Sequence, residues 1–152
     1  MKISTREDIS APIEDVFAAV SDFGAIERLF QRRGIVIERD AGAPANGVGR
    51  KWVARANWRG RKHRIEAELI ELTPDRGYTI ESRTGGVVST TVVDLVRLAP
   101  KQTRMLLSVD LRPTTLSSRL LVQSLKLAKG RLTERLKVRA SDFAREIESR
   151  TA

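Results

Sequence analysis

The chain contains no cysteine. That excludes a disulfide scaffold, a thiol nucleophile and a cysteine-based zinc site. It has a single histidine, His63, so it lacks the spaced imidazoles of a histidine metal site. No Ser-His-acid grouping can be assembled around that one ring. Aromatic residues make up only 5% of the chain, too few to interleave with basic residues as base-stacking platforms, which disfavours a nucleic-acid partner. No run reaches about 18 apolar residues, so no segment is expected to span a membrane. Charged residues at Lys2, Arg6 and Glu7 precede any apolar stretch, which argues against a secretion signal. With the missing cysteine, this leads to the expectation of a cytoplasmic protein. Repeats, low-complexity tracts and Pro/Gly/Ser-rich linkers are also missing, so residues 1–152 read as one domain. The sequence shows no catalytic grouping, metal-ligand set or cofactor motif.

What the chain does have is size, hydrophobicity and positive charge. Its 152 residues suit a single domain with its own core. Hydrophobic residues at 41% against 31% charged place it among folded rather than disordered chains. The formal net charge is +9. Seven Lys/Arg lie between Arg50 and Arg64 with no acid among them, and seven more between Arg119 and Arg139 against Glu134 alone. Such a balance bears on attraction to anionic surfaces rather than on fold. It fits a solvated basic face, and also weak association with an anionic membrane surface or an acidic protein.

Hydrophobic periodicity divides the chain into three parts. Residues 2–9 read as a first strand. Pro12 suits a first helical turn, and Ile13, Val16, Phe17 and Val20 recur at helical spacing. Asp22 can cap a second short helix whose face carries Phe23, Ile26, Leu29 and Phe30, with Gly34 ending it. From Ile35 to Arg112 the period becomes two. A short strand to Arg39 is followed by a loop over 41–47. Trp52, Ala54, Ala56 and Trp58 then alternate with Lys51, Val53, Arg55, Asn57 and Arg59. His63, Ile65, Ala67 and Leu69 alternate with charged residues. So do Tyr78, Ile80 and Ser82, and later Met105, Leu107, Val109 and Leu111. Over 87–98 both faces are apolar and the inward phase stays open. Turn chemistry at Gly60, at Pro74-Asp75, at Gly85-Gly86 and at Pro100 implies an antiparallel meander. Beyond Pro113 the helical period returns. A stripe of Leu116, Leu120, Leu121, Leu125, Ala128, Leu132, Leu136, Phe143 and Ile147 predicts one helix about 45 Å long. Gly130 interrupts it, either for close packing on the sheet or as a point where the helix can bend.

The predicted order is strand, two short helices, a six-strand meander and one long amphipathic helix. A long helix with one apolar stripe needs a concave sheet to lie in. This order resembles the START-like (SRPBCC, polyketide cyclase/dehydrase-like) superfamily. Local segments agree: Ile9-Ser10-Ala11-Pro12-Ile13-Glu14-Asp15-Val16-Phe17 at the passage from first strand to first helix, Asp22-Phe23 at the step into the second, Gly47-Val48-Gly49 before a long hairpin, and Glu71-Leu72-Thr73-Pro74-Asp75-Arg76 at a strand end and turn. Many members carry a bulky aromatic just after the Asp-Phe step, where this chain has Gly24-Ala25-Ile26. The resemblance implies an α+β helix-grip fold, a curved antiparallel sheet of about seven strands around a long C-terminal helix, with two short helices after the first strand. It also implies a cavity between sheet and helix that takes a hydrophobic small molecule such as a lipid, quinone or polyketide.

The inward phases name the residues that would line such a cavity. They are Phe30, Trp52, Ala54, Ala56, His63, Ile65, Ala67, Tyr78, Ile80, Met105 and Leu107, with Leu121, Leu125 and Ala128 closing it from the helix. Core packing explains Trp52, Trp58 and Tyr78 equally well, but the small Ala54, Ala56 and Ala67 point to open volume. His63 reads as a packed or edge histidine, or as a ligand-orienting one. Asp94 is either solvated or buried against Arg50. Binding or carriage of an apolar ligand is the leading reading. The alternatives are a surface-acting module working through the basic face and a polyketide cyclase-like enzyme.

Overall fold

A computed structural model describes residues 1–39, 42, 44, 47–58 and 60–151. Part of the expected 41–47 loop and Arg59, expected on the solvent-facing phase of its strand, lie outside the described residues. The elements are β1 (Lys2–Ile9), α1 (Ile13–Val20), α2 (Phe23–Arg32), β2 (Val36–Arg39), β3 (Lys51–Trp58), β4 (Arg61–Thr73), β5 (Gly77–Thr84), β6 (Val87–Ala99), β7 (Gln102–Pro113), α3 (Leu116–Leu127) and α4 (Lys129–Thr151). The strands form one antiparallel sheet in the order β1-β7-β6-β5-β4-β3-β2. β1 closes onto the last strand, and α1–α2 carry the chain across to the opposite edge. This is the helix-grip architecture expected from the sequence.

Local chemistry sets the element ends. Asp22 Oδ1 accepts the Ala25 N–H at 3.0 Å and caps α2. Gly85-Gly86, both at positive φ, make the two-residue β5–β6 turn, pairing Thr84 with Val87. At Gly77 (φ +145°) a Cβ would lie 1.9 Å from the Val93 carbonyl oxygen, so only glycine lets β6 approach there. Thr115 caps α3 in a reciprocal box with Ser118, through Ser118 N–H to Thr115 Oγ1 at 3.1 Å and Thr115 N–H to Ser118 Oγ at 2.9 Å. Just before it, Thr114 donates from N–H (2.8 Å) and Oγ1 (2.6 Å) to the Gly86 carbonyl, tying the start of α3 to the β5–β6 turn.

Register settles the phase left open over 87–98. Tyr78 faces Val93, Ile80 faces Thr91 and Ser82 faces Ser89, so Val93 and Leu95 point inward with Leu107 and Met105. Asp94 is on the outer, exposed phase, and Arg50 pairs with Glu27 instead.

The core gathers at one end of the sheet. Ile9, Val16, Val20, Phe23, Trp52, Leu69, Tyr78, Val93, Leu95 and Met105 are buried together with Ala140, Ala144 and Ile147 of α4. Phe23 stands edge-on to both Trp52 (5.5 Å) and Tyr78 (5.1 Å). Tyr78 donates its hydroxyl to the Val20 carbonyl at 2.7 Å, and its burial raises the phenol pKa well above the usual value.

The C-terminal segment differs from expectation. The single 30-residue helix is two helices that break at Ala128, whose N–H reaches both the Leu125 and Lys126 carbonyls. Leu116 and Leu120, expected on the gripping stripe, are 76% and 62% exposed. α3 instead buries Ser118 and Val122 and packs against β7, while α4 packs against β1. A Cβ on Gly130 would meet nothing within 4 Å, so close packing does not account for that glycine.

Candidate functional site

The concave face is uniform in direction but not in cover. Alternation sends Trp52, Ala54, Ala56 and Trp58 of β3 inward, in register with Ala67, Ile65, His63 and Arg61 of β4. Near the core end these positions are closed: Trp52 is 8% exposed and Leu69 fully buried. Further along the strands cover is lost. Ala54, Ala56, His63, Ile65, Ala67, Ile80 and Leu107 are all half-buried, and Trp58 at the β3–β4 hairpin is 54% exposed. We call this half-buried stretch of the concave face, beyond the packed core, the trough.

The floor of the trough is two-toned. β3 and β4 supply small or branched apolar side chains. β5 and β6 supply hydroxyls at Ser82, Ser89 and Thr91, all half-buried and on the inward phase. The sequence hid Ser89 and Thr91 because the phase of that strand could not be read. His63 lies at the apolar end, its ring 5.9 Å from Trp58, and its Nε2 is buried without a hydrogen-bond partner among the described residues.

The named candidates therefore separate. Ala54, Ala56, His63, Ile65, Ala67, Ile80 and Leu107 share the half-open face. Trp52, Tyr78 and Met105 are buried in the packed core. Phe30, at the C-terminal part of α2, is 42% exposed. Leu121 is 45% exposed, while Leu125 and Ala128 are half-buried at the helix break.

A charged network not foreseen from the sequence bounds the core at α2. Glu27 is 9% exposed. It accepts from Arg50 Nη2 at 2.8 Å, Trp52 Nε1 at 2.7 Å and Arg39 Nε and Nη2 at 3.1 Å. Burial by itself would raise its pKa, but the bonds from Arg39, Arg50 and Trp52, with the charge of Arg39, outweigh it and hold the carboxyl below the usual range. The Arg50 guanidinium also stacks over Phe23 and Trp52 at 5.5 and 5.2 Å. Two signals were legible: Glu27 follows Phe23 by one helical turn, on the apolar face, and Arg50 is in phase with Trp52. The network anchors α2 to β2 and β3.

The convex face has its own cleft of about 380 Å³. Its three cations are matched by three carboxylates in the pairs Lys51–Glu68, Arg64–Glu66 and Arg83–Glu81, so it offers no net charge to a ligand.

Fold and trough together define a helix-grip protein with a half-open concave face. Residues 1–148 match the family model described as polyketide cyclase / dehydrase and lipid transport, and the chain belongs to that family. Comparison with curated protein sequences gives no match. Among solved structures, the chain is similar to TTHA0849 from Thermus thermophilus (15% identity, all of both chains, TM-score 0.69). It is also similar to norcoclaurine synthase from Thalictrum flavum, solved with a transition-state analogue (12% identity, 100% of this chain and 96% of that one, TM-score 0.71). The ZhuI aromatase/cyclase from Streptomyces sp. R1128 is a third (12% identity, 100% and 96%, TM-score 0.68). At these identities the likeness establishes the fold alone. Among the described residues, no helix is long and apolar enough to cross a membrane.

Proposed function

We propose that this domain binds a hydrophobic small molecule carrying a few polar groups, in the trough between the concave sheet and the α3–α4 arm. The observation that carries this reading is the contrast along one face. The same inward phases that are sealed at Trp52, Leu69 and Met105 are left half-open at Ala54, Ala56, Ile65 and Leu107. Apolar surface left accessible on a concave wall gains free energy when a ligand covers it, roughly 25 cal/mol per Å². The hydroxyls of Ser82, Ser89 and Thr91 and the Nε2 of His63 supply the few polar contacts that orient such a ligand. The family description, polyketide cyclase / dehydrase and lipid transport, supports the same class of ligand.

Binding alone accounts for these features. A cyclase-type reaction would need a proton carrier on the trough, and His63 is the residue placed for it. On the binding reading His63→Ala changes ligand fit and leaves no chemical step to lose. A fall in turnover of about a hundredfold or more in that variant would instead identify acid–base catalysis.

The test is Ala54→Phe or Ala56→Phe, followed by melting temperature and by binding of a fluorescent fatty acid. A ring placed in open space costs little stability and displaces the probe. Retained melting with lost probe binding supports the trough as the site. Absence of probe binding in the unaltered protein, together with a large fall in melting temperature in the variants, overturns it.

A further inference from the structure

We infer a second surface, separate from the trough: the outer side of α3 docks on anionic lipid bilayers. Leu116, Leu120 and Leu127 are spaced by four and seven residues, which places them within about 40° of one another around the helix. They are 76%, 62% and 92% exposed. The inner side of α3 is occupied by Ser118 and Val122, both buried, so the leucine row has no role in the core. Leaving three leucines in line on a helix surface forfeits burial and marks an interaction site.

Charge selects the partner. Between residues 116 and 139 there are seven Lys/Arg and one acid, Glu134, a net of +6. Arg119 and Lys126 lie along one side of the leucine row on α3. Beyond the break at Ala128, Arg131, Arg135 and Arg139 follow at intervals of four along one side of α4, lining a shallow groove of about 330 Å³ with Glu134 and Val138. An apolar ridge bordered by cations matches the boundary of a bilayer bearing anionic headgroups, where leucines enter the acyl layer and arginines meet phosphates. A second copy of this chain would bring the same charges face to face, and nucleic acid would leave the leucines uncovered. Aliphatic side chains also offer no stacking platform. The tether of Thr114 to Gly86 and the α3 capping box hold the row on a fixed helix, so it needs no refolding to insert.

The experiment is co-sedimentation of the full chain with vesicles of phosphatidylcholine, with and without phosphatidylserine, across a salt series. The expected result is binding to the serine-containing vesicles only, declining as salt rises. Leu120→Ser combined with Leu127→Ser keeps every charge, and both positions are exposed, so melting should be unchanged while affinity for the anionic vesicles falls about tenfold or more. Arg131→Glu with Arg135→Glu should abolish binding at moderate salt. Three results would overturn the inference: no binding of the unaltered chain to anionic vesicles, leucine variants that bind as well as the unaltered chain, or a dimer in sedimentation velocity that the leucine variants dissolve.

Discussion

The two ends of the concave face are built from the same strands, yet one is a core and the other a trough. At the closed end, α1, α2 and the last turns of α4 press Val16, Phe23, Ala144 and Ile147 onto Leu69, Val93 and Met105. The Glu27 network fastens α2 to the sheet there. At the open end α3 packs against β7 and ends at the Ala128 break, and the inward side chains of β3 and β4 stay half-buried. Alternation along a strand assigns side chains to a face, but a second layer is needed to bury them. Where the face runs past its cover, its apolar side chains stay half-buried.

The largest effect that would sharpen this comparison comes from deleting the same kind of side chain at both ends. Leu69→Ala, at a fully buried site, should cost about 2–5 kcal/mol. Ile65→Ala, four residues earlier on the same phase and half-buried, should cost well under half of that. Equal losses in denaturant unfolding would mean that the open end is packed after all.

Next is the network at α2. Glu27→Gln should destabilise by roughly 1.5–3 kcal/mol by weakening charge-assisted bonds from Arg50 and Arg39. Because the folded pKa lies below the ordinary value of 4.5, the contribution is complete above that pH and is lost as pH falls through the lower folded value. The stability difference between the unaltered protein and Glu27→Gln should therefore shrink below pH 4.5. A difference that stays constant into strong acid would remove the charge from the explanation.

A third comparison inserts bulk rather than removing it. Ala144→Phe, at a site 3% exposed on α4, should cost about 1–3 kcal/mol or prevent folding. Ala54→Phe in the trough should stay close to neutral in thermal unfolding. If both destabilise alike, the trough is not free space.

The smallest effect concerns the arm. Gly130 has open space where a Cβ would go and no positive φ, so Gly130→Ala should stabilise by about 0.4–1 kcal/mol. Slower hydrogen exchange around residues 126–132 would locate that gain at the junction. A loss of stability would show that the glycine is required there.

Much of this molecule was legible in residue order. The Pro12 and Asp22 helix starts, the alternation of β3, β4, β5 and β7, and the switch of period past Pro113 each reflect a local rule about one face or one turn. Together they give an order of elements that resembles the START-like superfamily, and that resemblance implies the helix-grip fold. The candidate site was legible only as a set of phases. Alternation placed Trp52, Ala54 and Ala56 on one side of β3 but could not say that Trp52 is sealed by Phe23 while its neighbours are left half-open. That distinction depends on where Phe23, at the start of α2, packs on the sheet.

By itself the sequence determined which residues of β3, β4, β5 and β7 share the inward phase, where turns reverse the chain, and that a basic helical segment follows the sheet, because these depend on near neighbours. Only the tertiary structure decided the inward phase of β6, through its pairing with β5 and β7. It also decided the partnership of Glu27 with Arg50 and the division of the concave face into core and trough. The break at Ala128 belongs with these: a continuous apolar stripe permits a continuous helix, but anchoring one end to the β5–β6 turn and the other in the core places the two halves on different strands, α3 on β7 and α4 on β1. That packing leaves Leu116, Leu120 and Leu127 facing outward, which no periodicity could reveal.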